Sequence, residues 1–518
     1  MLGIRIGRGW MLLAAMCAGP AWAATAWQEA RTDHFIVYAA GDAQSVRDYA
    51  TRLERYDKGL HVFRGLESRP SDHANPVIVF VVPNVDTVQR LCAGGRKKTG
   101  CGEVYGFYNT RPGRSVAFTP RRSGEGKYDL NAQTVLFHEY AHHFMFANYS
   151  GAYPAWFTEG FAEFNGTARF EKDGGIGFGI PAMHRAYGLV SGKPLSLEAM
   201  LTADNRKLDP QQRDALYGRG WLLTHYLTFA PERREQLSRY LQALNGGKPS
   251  LDAARSAFGD LKQLDRDLDR YLMKSQMSYL PLRPASLPIG PIAVRTLGPG
   301  EAAMLPVVWR SKRGVDKAEA AQVVIEARRI AAPFADDPAV QGALAEAEYD
   351  AGHLDLADAA ADRALAADPA NRQALLYKGR IALRRAADAR SADPAVWRAA
   401  RGWFVKANRL DPDDAEPLML FYDSFHAAGA KPTDNAVIGL LQAFDLAPQD
   451  EGLRFRAATE YLRKGDRAEA RRILAPLAFN PHAAPDNAAS QLIALIDKGD
   501  AKAIDARIDA APDAADGT

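Results

Sequence analysis

A chain of 518 residues is too long for a single small module and predicts two or more domains. Hydrophobic residues make up 47% of it and charged residues 25%, which is ordinary globular usage and excludes a mainly disordered, collagen-like or multi-span membrane protein. The net charge of +3 combines an excess of nine basic residues over 1–300 (37 Lys and Arg against 28 Asp and Glu) with an excess of six acidic residues over 301–518 (28 against 34), so neither part predicts nucleic-acid binding.

The first 23 residues have the pattern of a signal peptide. Arg5 and Arg8 precede an apolar run over 10–18, and small residues suit cleavage after Ala23. Because the run is shorter than the roughly 20 residues of a membrane-spanning helix, we predict no transmembrane span in the mature chain, with an uncleaved anchor as the alternative. We therefore expect a periplasmic or secreted protein.

The mature chain contains two cysteines, Cys92 and Cys101. The eight residues between them include three glycines and three basic residues, so the loop is flexible enough for the thiols to meet. In an exported protein this pattern predicts a disulfide, with a reduced loop as the alternative because spacing alone does not fix geometry.

The periodicity of apolar residues predicts a mixed sheet followed by helices in the front half. We predict strands at 34–39, 77–82, 104–108 and 115–118, and helices at 43–63 and 131–149. A turn around Arg111-Pro112-Gly113 joins the last two strands. Helical patterns surround 154–165 and 211–229, and most of the chain up to 272 is predicted to be helical.

The helix predicted at 131–149 contains the pattern H-E-x-x-H. His138 and His142 lie one above the other on a helix, so both imidazoles can reach one metal ion at roughly 2.0 to 2.1 Å. Glu139 lies beside them and can accept a proton from a metal-bound water. The motif is specific for a metal site, but it requires a third ligand.

Two carboxylates in a second predicted helix supply that ligand. Glu159 and Glu163 are four residues apart and therefore share one face. Glu159 can complete a His2Glu site, and Glu163 can accept the free ring N–H of a ligand histidine. The sequence therefore predicts one Zn2+ per chain.

These motifs resemble those of the gluzincin metallopeptidases, the class that includes thermolysin and the aminopeptidase-N family. In that class H-E-x-x-H is followed by a helix of the form W-L/F-x-E-G-x-A, and Trp156–Ala162 matches it at every named position. The resemblance implies zinc ligation by His138, His142 and Glu159, general base and later acid catalysis by Glu139, and support of a ligand by Glu163.

A looser match concerns the segment 216–223. It is similar to the family's P-Y-E-K-G helix, which implies that Tyr217 hydrogen-bonds the oxyanion formed from the peptide carbonyl. The alternative is an aromatic residue that packs a helix against the core. The aminopeptidase motif G-x-M-E-N does not occur in the sequence, which argues against exopeptidase activity. Instead, the strand at 104–108 is expected to pair with an extended substrate.

Other histidines are predicted to have supporting roles. His143 follows a ligand directly and is expected to be buried or to support the site from behind. The histidines without a spacing partner are predicted to be structural or exposed: His34, His61, His73, His184 and His225.

The rear half repeats at an interval of 34 residues. Small residues and prolines recur at turn, close-packing and exit positions, beginning with Gly352, Ala357, Ala364 and Pro369. The pattern resembles tetratricopeptide repeats over Pro338–His482. That resemblance implies a curved solenoid with a concave face that binds a protein partner, with a generic alanine-rich helical bundle as the alternative.

Together these features predict an α+β fold with a gluzincin-like catalytic domain, which has a mixed N-terminal sheet and a helical C-terminal part, followed by an all-α repeat solenoid. The expected order is a signal peptide (1–23), the metallopeptidase-like domain (24–274), a connector (275–316), helical repeats (317–499) and a flexible tail (500–518). The expected function is an exported zinc endopeptidase acting on a peptide or protein. Two alternatives are a catalytically inactive envelope scaffold and a metallohydrolase of another amide or ester.

Overall fold

The structure is a computed structural model that describes residues 26–67, 69, 73–94, 100–124, 126–192, 195–480, 483–484 and 486–509. The predicted signal peptide lies outside these residues, as do the last nine residues of the predicted tail. Among the helices formed by the described residues, none has the length and apolar character needed to cross a membrane.

A six-stranded mixed sheet forms the front of the chain. Its strands are β1 (Trp27–Arg31), β2 (Phe35–Ala40), β3 (Val77–Val82), β4 (Phe107–Asn109), β5 (Val116–Pro120) and β9 (Ala293–Thr296). They lie in the order β4-β5-β3-β2-β1-β9, with β2, β3 and β5 parallel and the other neighbours antiparallel. Helix α1 (Ala43–Arg64) connects β2 to β3. The predicted mixed N-terminal sheet is confirmed.

Helix α2 (Val85–Ala93) lies between β3 and β4, where the sequence analysis predicts no helix. Further helices follow β5, as the apolar periodicity predicts. They are α3 (Ala132–Asn148), α4 (Ala155–Gly166), α5 (Ala186–Val190), α6 (Leu197–Leu201), α7 (Pro210–Phe229), α8 (Gln236–Asn245), α9 (Ser250–Phe258) and α10 (Leu261–Leu272). A second sheet of three short strands lies among them, with β7 (Ile176–Phe178) between β6 (Arg169–Phe170) and β8 (Leu280–Leu282). Helix α3 begins where the Asn131 side chain accepts a hydrogen bond from the backbone N–H of Thr134.

The segment 275–316, predicted as a connector, forms two short strands that pair with strands of the front half and a helix that packs beside the large sheet. Strand β8 pairs with β7, and β9 pairs with β1 at the edge of the large sheet. Helix α11 (Pro299–Arg313) then packs against α2, where Leu305 and Trp309 join an apolar cluster with residues of β3 and β5. The partner strands of β8 and β9 are more than 100 residues away in the sequence, which is why local patterns indicate only loops and short strands here.

The rest of the chain is helical. Its helices are α12 (Lys317–Ala331), α13 (Pro338–Asp350), α14 (Leu354–Ala367), α15 (Arg372–Asp388), α16 (Pro394–Leu410), α17 (Ala415–Ala427), α18 (Asp434–Leu446), α19 (Glu451–Arg463), α20 (Arg467–Ala478), α21 (Ala488–Lys498) and α22 (Ala501–Asp509). From α13 to α20 they pack as consecutive pairs. Helix α22 occupies the start of the predicted flexible tail, where Ile504 and Ile508 are buried.

The positions that carry the sequence repeat have the same local structure in successive pairs. Gly352, Gly429 and Gly465 lie in turns between paired helices with φ of 81°, 63° and 79°, a backbone conformation that favours glycine. The alanines predicted at close-packing positions are fully buried, namely Ala357, Ala364, Ala400, Ala407, Ala436, Ala443 and Ala470.

Candidate metal centre

Helices α3 and α4 bring the three predicted ligands together. The Nε2 atoms of His138 and His142 are 3.1 Å apart, and each lies 3.5 to 3.6 Å from Oε2 of Glu159. Two nitrogens and one carboxylate oxygen thus converge on one point. Within the described residues, no other group of three or more His, Cys, Asp or Glu has this proximity.

Glycines allow the helices around this centre to approach closely. A Cβ on Gly160 would lie 2.4 Å from the carbonyl oxygen of Gly220, so α4 and α7 meet at these two glycines. A Cβ on Gly166 would lie 3.1 Å from the backbone nitrogen of His138, where the end of α4 meets α3. Close packing of three helices therefore fixes Glu159 opposite the two histidines.

The centre is buried on one side and open on the other. Glu159 is fully buried, whereas the side chains of His138 and His142 remain 14% and 13% exposed. A His2Glu donor set with an accessible side is the arrangement of catalytic zinc sites, which keep one position for water or substrate. The residues present therefore fit a zinc ion.

Glu163 holds His138 from behind. Its Oε1 lies 3.3 Å from Nδ1 of His138, so the other ring nitrogen faces the centre. Burial acts to raise the pKa of Glu163, but Arg185, His138 and His184 outweigh burial and hold the pKa well below its usual range. For His138, burial acts to lower the pKa, but the carboxylates of Glu159 and Glu163 outweigh burial and raise the pKa to about 10.

Two residues that no sequence motif indicates contact the carboxylate of Glu163. His184 Nε2 lies 2.9 Å from Oε2 of Glu163, and Arg185 donates to Oε1 at 2.7 and 3.2 Å. Arg185 also donates to Asp214 at 2.9 Å, and its guanidinium lies over the ring of Tyr217. Neither residue has a motif spacing to the ligands, so only the packing of the segment 183–185 beside α4 reveals them.

Glu139 is half-buried, and its side chain forms no hydrogen bond or ion pair with the other residues that the structure describes. The charge of Glu139 also acts on Tyr108 of β4. Burial raises the pKa of Tyr108, and the carboxylates of Asp450 and Glu139 raise it further. An acidic side chain beside the metal ligands and uncommitted to a partner can accept and return a proton.

Tyr217 lies beside the centre. Its ring is nearly parallel to that of His138, with the ring centroids 6.0 Å apart. Burial, together with the charge of Glu159, raises the pKa of the phenol, which therefore stays protonated and able to donate a hydrogen bond. Arg219, by contrast, pairs with Asp265 and Asp269 of α10.

Strand β4 contacts helix α3, which carries His138 and His142. The hydroxyl of Tyr108 and Nδ1 of His143 are 2.6 Å apart, so the histidine that follows a ligand contacts the edge strand. The space beside Gly106 is filled by the chain itself, since a Cβ there would lie 2.7 Å from a methyl group of Val135. Gly106 therefore serves the close approach of this segment to α3.

The remaining histidines stand apart from the centre. His34 contacts Glu54 at 2.9 Å, and Asp57 accepts a hydrogen bond from Tyr140 and contacts His61 at 3.3 Å, so this network joins α1 to α3 and the start of β2. His225 is fully buried, and His73 is exposed.

A disulfide joins Cys92 at the end of α2 to Cys101, with the Cα atoms 5.9 Å apart. The disulfide connects α2, which packs on the sheet, to the chain shortly before β4.

Neither a scan against protein-family models nor a search of curated proteins gives a match to this chain. The donor set and its geometry therefore carry the functional argument.

Proposed function

We propose that the protein is an exported zinc-dependent endopeptidase of the gluzincin type with a C-terminal domain of tetratricopeptide repeats. The observation that carries the proposal is the convergence of His138, His142 and Glu159, together with the carboxylate of Glu163 behind one ligand. His2Glu centres of this form are typical of metallopeptidases.

His138, His142 and Glu159 would hold the zinc ion, one per chain. When bound, such an ion acts as a Lewis acid toward a carbonyl oxygen and lowers the pKa of water toward 7. Glu163 keeps His138 oriented, and its own charge is held by Arg185 and His184.

Glu139 and Tyr217 would carry out the proton chemistry. Glu139 accepts a proton from the attacking water and returns it to the leaving amine, and its side chain has no competing partner among the residues that the structure describes. Tyr217 stays protonated in its buried position and would donate a hydrogen bond to the oxyanion. The bond cleaved is a peptide bond within an extended segment, and the edge strand β4 is the element with which that segment would pair.

The helical pairs of the rear half would form a protein-binding domain. Support comes from the turn glycines and buried alanines that recur at the repeat interval. Export, with removal of residues 1–23, is part of the same proposal and explains a disulfide in a chain with two mature cysteines.

The decisive experiment is digestion of an unbiased peptide library by the mature, zinc-loaded protein and by its Glu139→Gln variant. The variant keeps all three ligands, so we expect it to retain zinc while the cleavage rate falls by at least about a hundredfold. An inactive wild-type protein with full zinc would favour the scaffold alternative. Cleavage of ester or non-peptide amide substrates alone would favour the other metallohydrolase.

A further inference from the structure

The turn between β4 and β5, residues 110–115, does not project into solvent. Gly113 and Ser115 are buried, and the other residues of the turn are half-buried. The surrounding groups come from the helices that follow the large sheet in the sequence. One end of β4, the strand proposed to pair with an extended substrate, is therefore in contact with the rear half of the protein.

The first of these contacts is with the C-terminal end of α11. Arg111 donates to the carbonyl oxygens of Lys312 at 2.5 Å and Ser311 at 3.4 Å, and Asn109 donates to that of Arg313 at 3.0 Å. The last carbonyls of a helix lack intrahelical partners and carry partial negative charge. The β4–β5 hairpin therefore caps α11 with a cation and an amide.

The second contact is with α15 and α17. Glu416 of α17 accepts hydrogen bonds from Arg372 and Arg380 of α15, and Gly113 lies directly against this group. A Cβ on Gly113 would lie 2.1 Å from Oε2 of Glu416. Beside it, Arg114 pairs with Asp411 at 3.5 Å. One basic residue of the turn thus pairs with an acidic residue at the end of α16, and the turn glycine lies against the Glu416 ion pair.

The other side of the β4–β5 hairpin faces helix α3. Tyr108 of β4 contacts His143, which adjoins the ligand His142, and the chain just before β4 packs on Val135 of α3. A three-residue edge strand paired on one side only has few hydrogen bonds of its own to fix it. Its position depends on what holds the two ends of the hairpin.

We propose that the rear helices position β4, the strand expected to pair with a substrate. Helices α11, α15 and α17 hold the β4–β5 turn and so fix β4 beside α3. The inference rests on the proposed peptidase function and adds that the repeats take part in forming the substrate-binding edge. Arg111, Gly113 and Arg114 are positioning residues, since Arg111 contacts α11 and the other two contact residues of the rear helices, and none of them contacts the metal ligands. Loss of their contacts should weaken substrate binding more than it slows the chemical step.

The test compares two glycine variants of the full mature chain. Gly113→Asp places a side chain in the space occupied by the ion pair of Glu416 and Arg372 and therefore displaces it, whereas Gly102→Asp, in the segment before β4, enters open space with no atom within 4 Å. Three quantities are measured: hydrogen exchange of the peptide 107–118, KM and kcat on an extended peptide, and bound zinc.

For Gly113→Asp we expect exchange in 107–118 to accelerate and KM to rise, each by roughly tenfold, with kcat and zinc within about twofold of the control. Equal exchange and equal KM in the two folded variants would overturn the proposal, as would a fall in kcat at unchanged KM. If Gly113→Asp does not fold, Arg111→Met removes the bonds to α11 while keeping the apolar stem, and the same expectations apply.

The exchange measurement separates this inference from the proposed function. Faster exchange of β4 in a protein without peptidase activity would support the positioning role and refute the peptidase. Peptidase activity in both variants, with the same exchange rate and the same KM, would support the proposed peptidase and refute the positioning role.

Discussion

Among single residues, Glu163 is not a predicted metal ligand, but it orients the predicted ligand His138. It is 98% buried, contacts Nδ1 of His138, and is held in its charged form by Arg185 and His184. A carboxylate in this position fixes the ring orientation and increases the basicity of the ligand nitrogen. The cost of burying its charge is offset because three basic groups surround it.

We therefore expect Glu163→Gln to lower zinc affinity by roughly 10- to 100-fold, since the neutral amide orients His138 less firmly and leaves Arg185 with one acidic partner fewer. Competition with a chromophoric chelator measures the affinity. Glu171→Gln, which alters a partly exposed ion pair with Arg169, is the matched control. Equal zinc affinity in the two variants would mean that Glu163 does not support the ligand.

For single residues, the sequence predicts contacts between side chains at helical spacing. It does not predict contacts between side chains that only tertiary packing brings together. His138 and His142 are four residues apart, as are Glu159 and Glu163, and the structure places both pairs at one centre. His184 and Arg185 approach Glu163 from more than 20 residues away. Lone histidines have no pattern that would distinguish such a contact from an exposed position.

At the scale of elements, strongly periodic segments were predicted well. Helix α1 and strand β3, for example, differ from their predicted bounds by at most one residue. Strands β8 and β9 were harder to predict because a short strand is defined by its partner, and β9 pairs with β1 more than 250 residues earlier. Helix α22 was missed because its alanine- and aspartate-rich sequence has only two buried isoleucines to indicate a packed face.

Helix α7 is connected to its surroundings through one imidazole. Nε2 of His225 lies 3.0 Å from the carbonyl oxygen of Gly179 and 2.9 Å from that of Ser278, and Nδ1 lies 2.9 Å from the hydroxyl of Tyr271. These partners suit a neutral ring that donates through Nε2 and accepts at Nδ1. Burial lowers the pKa of His225 to about 4, although the two carbonyls act in the opposite direction.

This lowered pKa gives the stability a defined pH dependence. The unfolded chain takes up a proton at His225 near pH 6.5, and the folded chain only near 4. The contribution of the neutral ring is therefore fully present above pH 6.5 and is lost as the pH falls toward 4, a change on the order of 3 kcal/mol.

We expect His225→Gln, which does not titrate, to be less stable than the wild type at pH 7.5 and to come closer to it at pH 4.5. Urea unfolding at the two pH values measures both free energies. A stability difference that is the same at pH 7.5 and pH 4.5 would show that His225 does not carry this dependence.

At the scale of the whole molecule, the segment that follows residue 274 packs with the large front sheet. Strand β9 completes one edge of the large sheet, and Leu305 and Trp309 of α11 cover apolar side chains of β3 and β5. The other side of α11 contributes Met304 and Val307 to the core that it forms with α12, α13 and α14. One helix thus belongs to two cores, which a division of the sequence by composition could not show.

This shared helix predicts where the chain can be shortened. A chain ending at residue 274 loses β9 and α11 and exposes the sheet residues that Trp309 and Leu305 cover, at roughly 1.5 to 3 kcal/mol for each large side chain. Set against a total stability of about 5 to 15 kcal/mol, that loss is large. We expect this chain to show no cooperative thermal transition and to bind a hydrophobic dye.

A chain ending at Gly314 keeps β9, α11 and the carbonyls that accept from Arg111, so it should melt cooperatively and bind zinc. It also lacks Glu416 and Arg372, the groups against which Gly113 packs, so the β4–β5 turn should exchange faster than in the full chain. Calorimetry and hydrogen exchange on the two shortened chains measure these differences. If the chain ending at residue 274 melted cooperatively at the temperature of the full protein, neither β9 nor α11 would be a necessary part of the front domain.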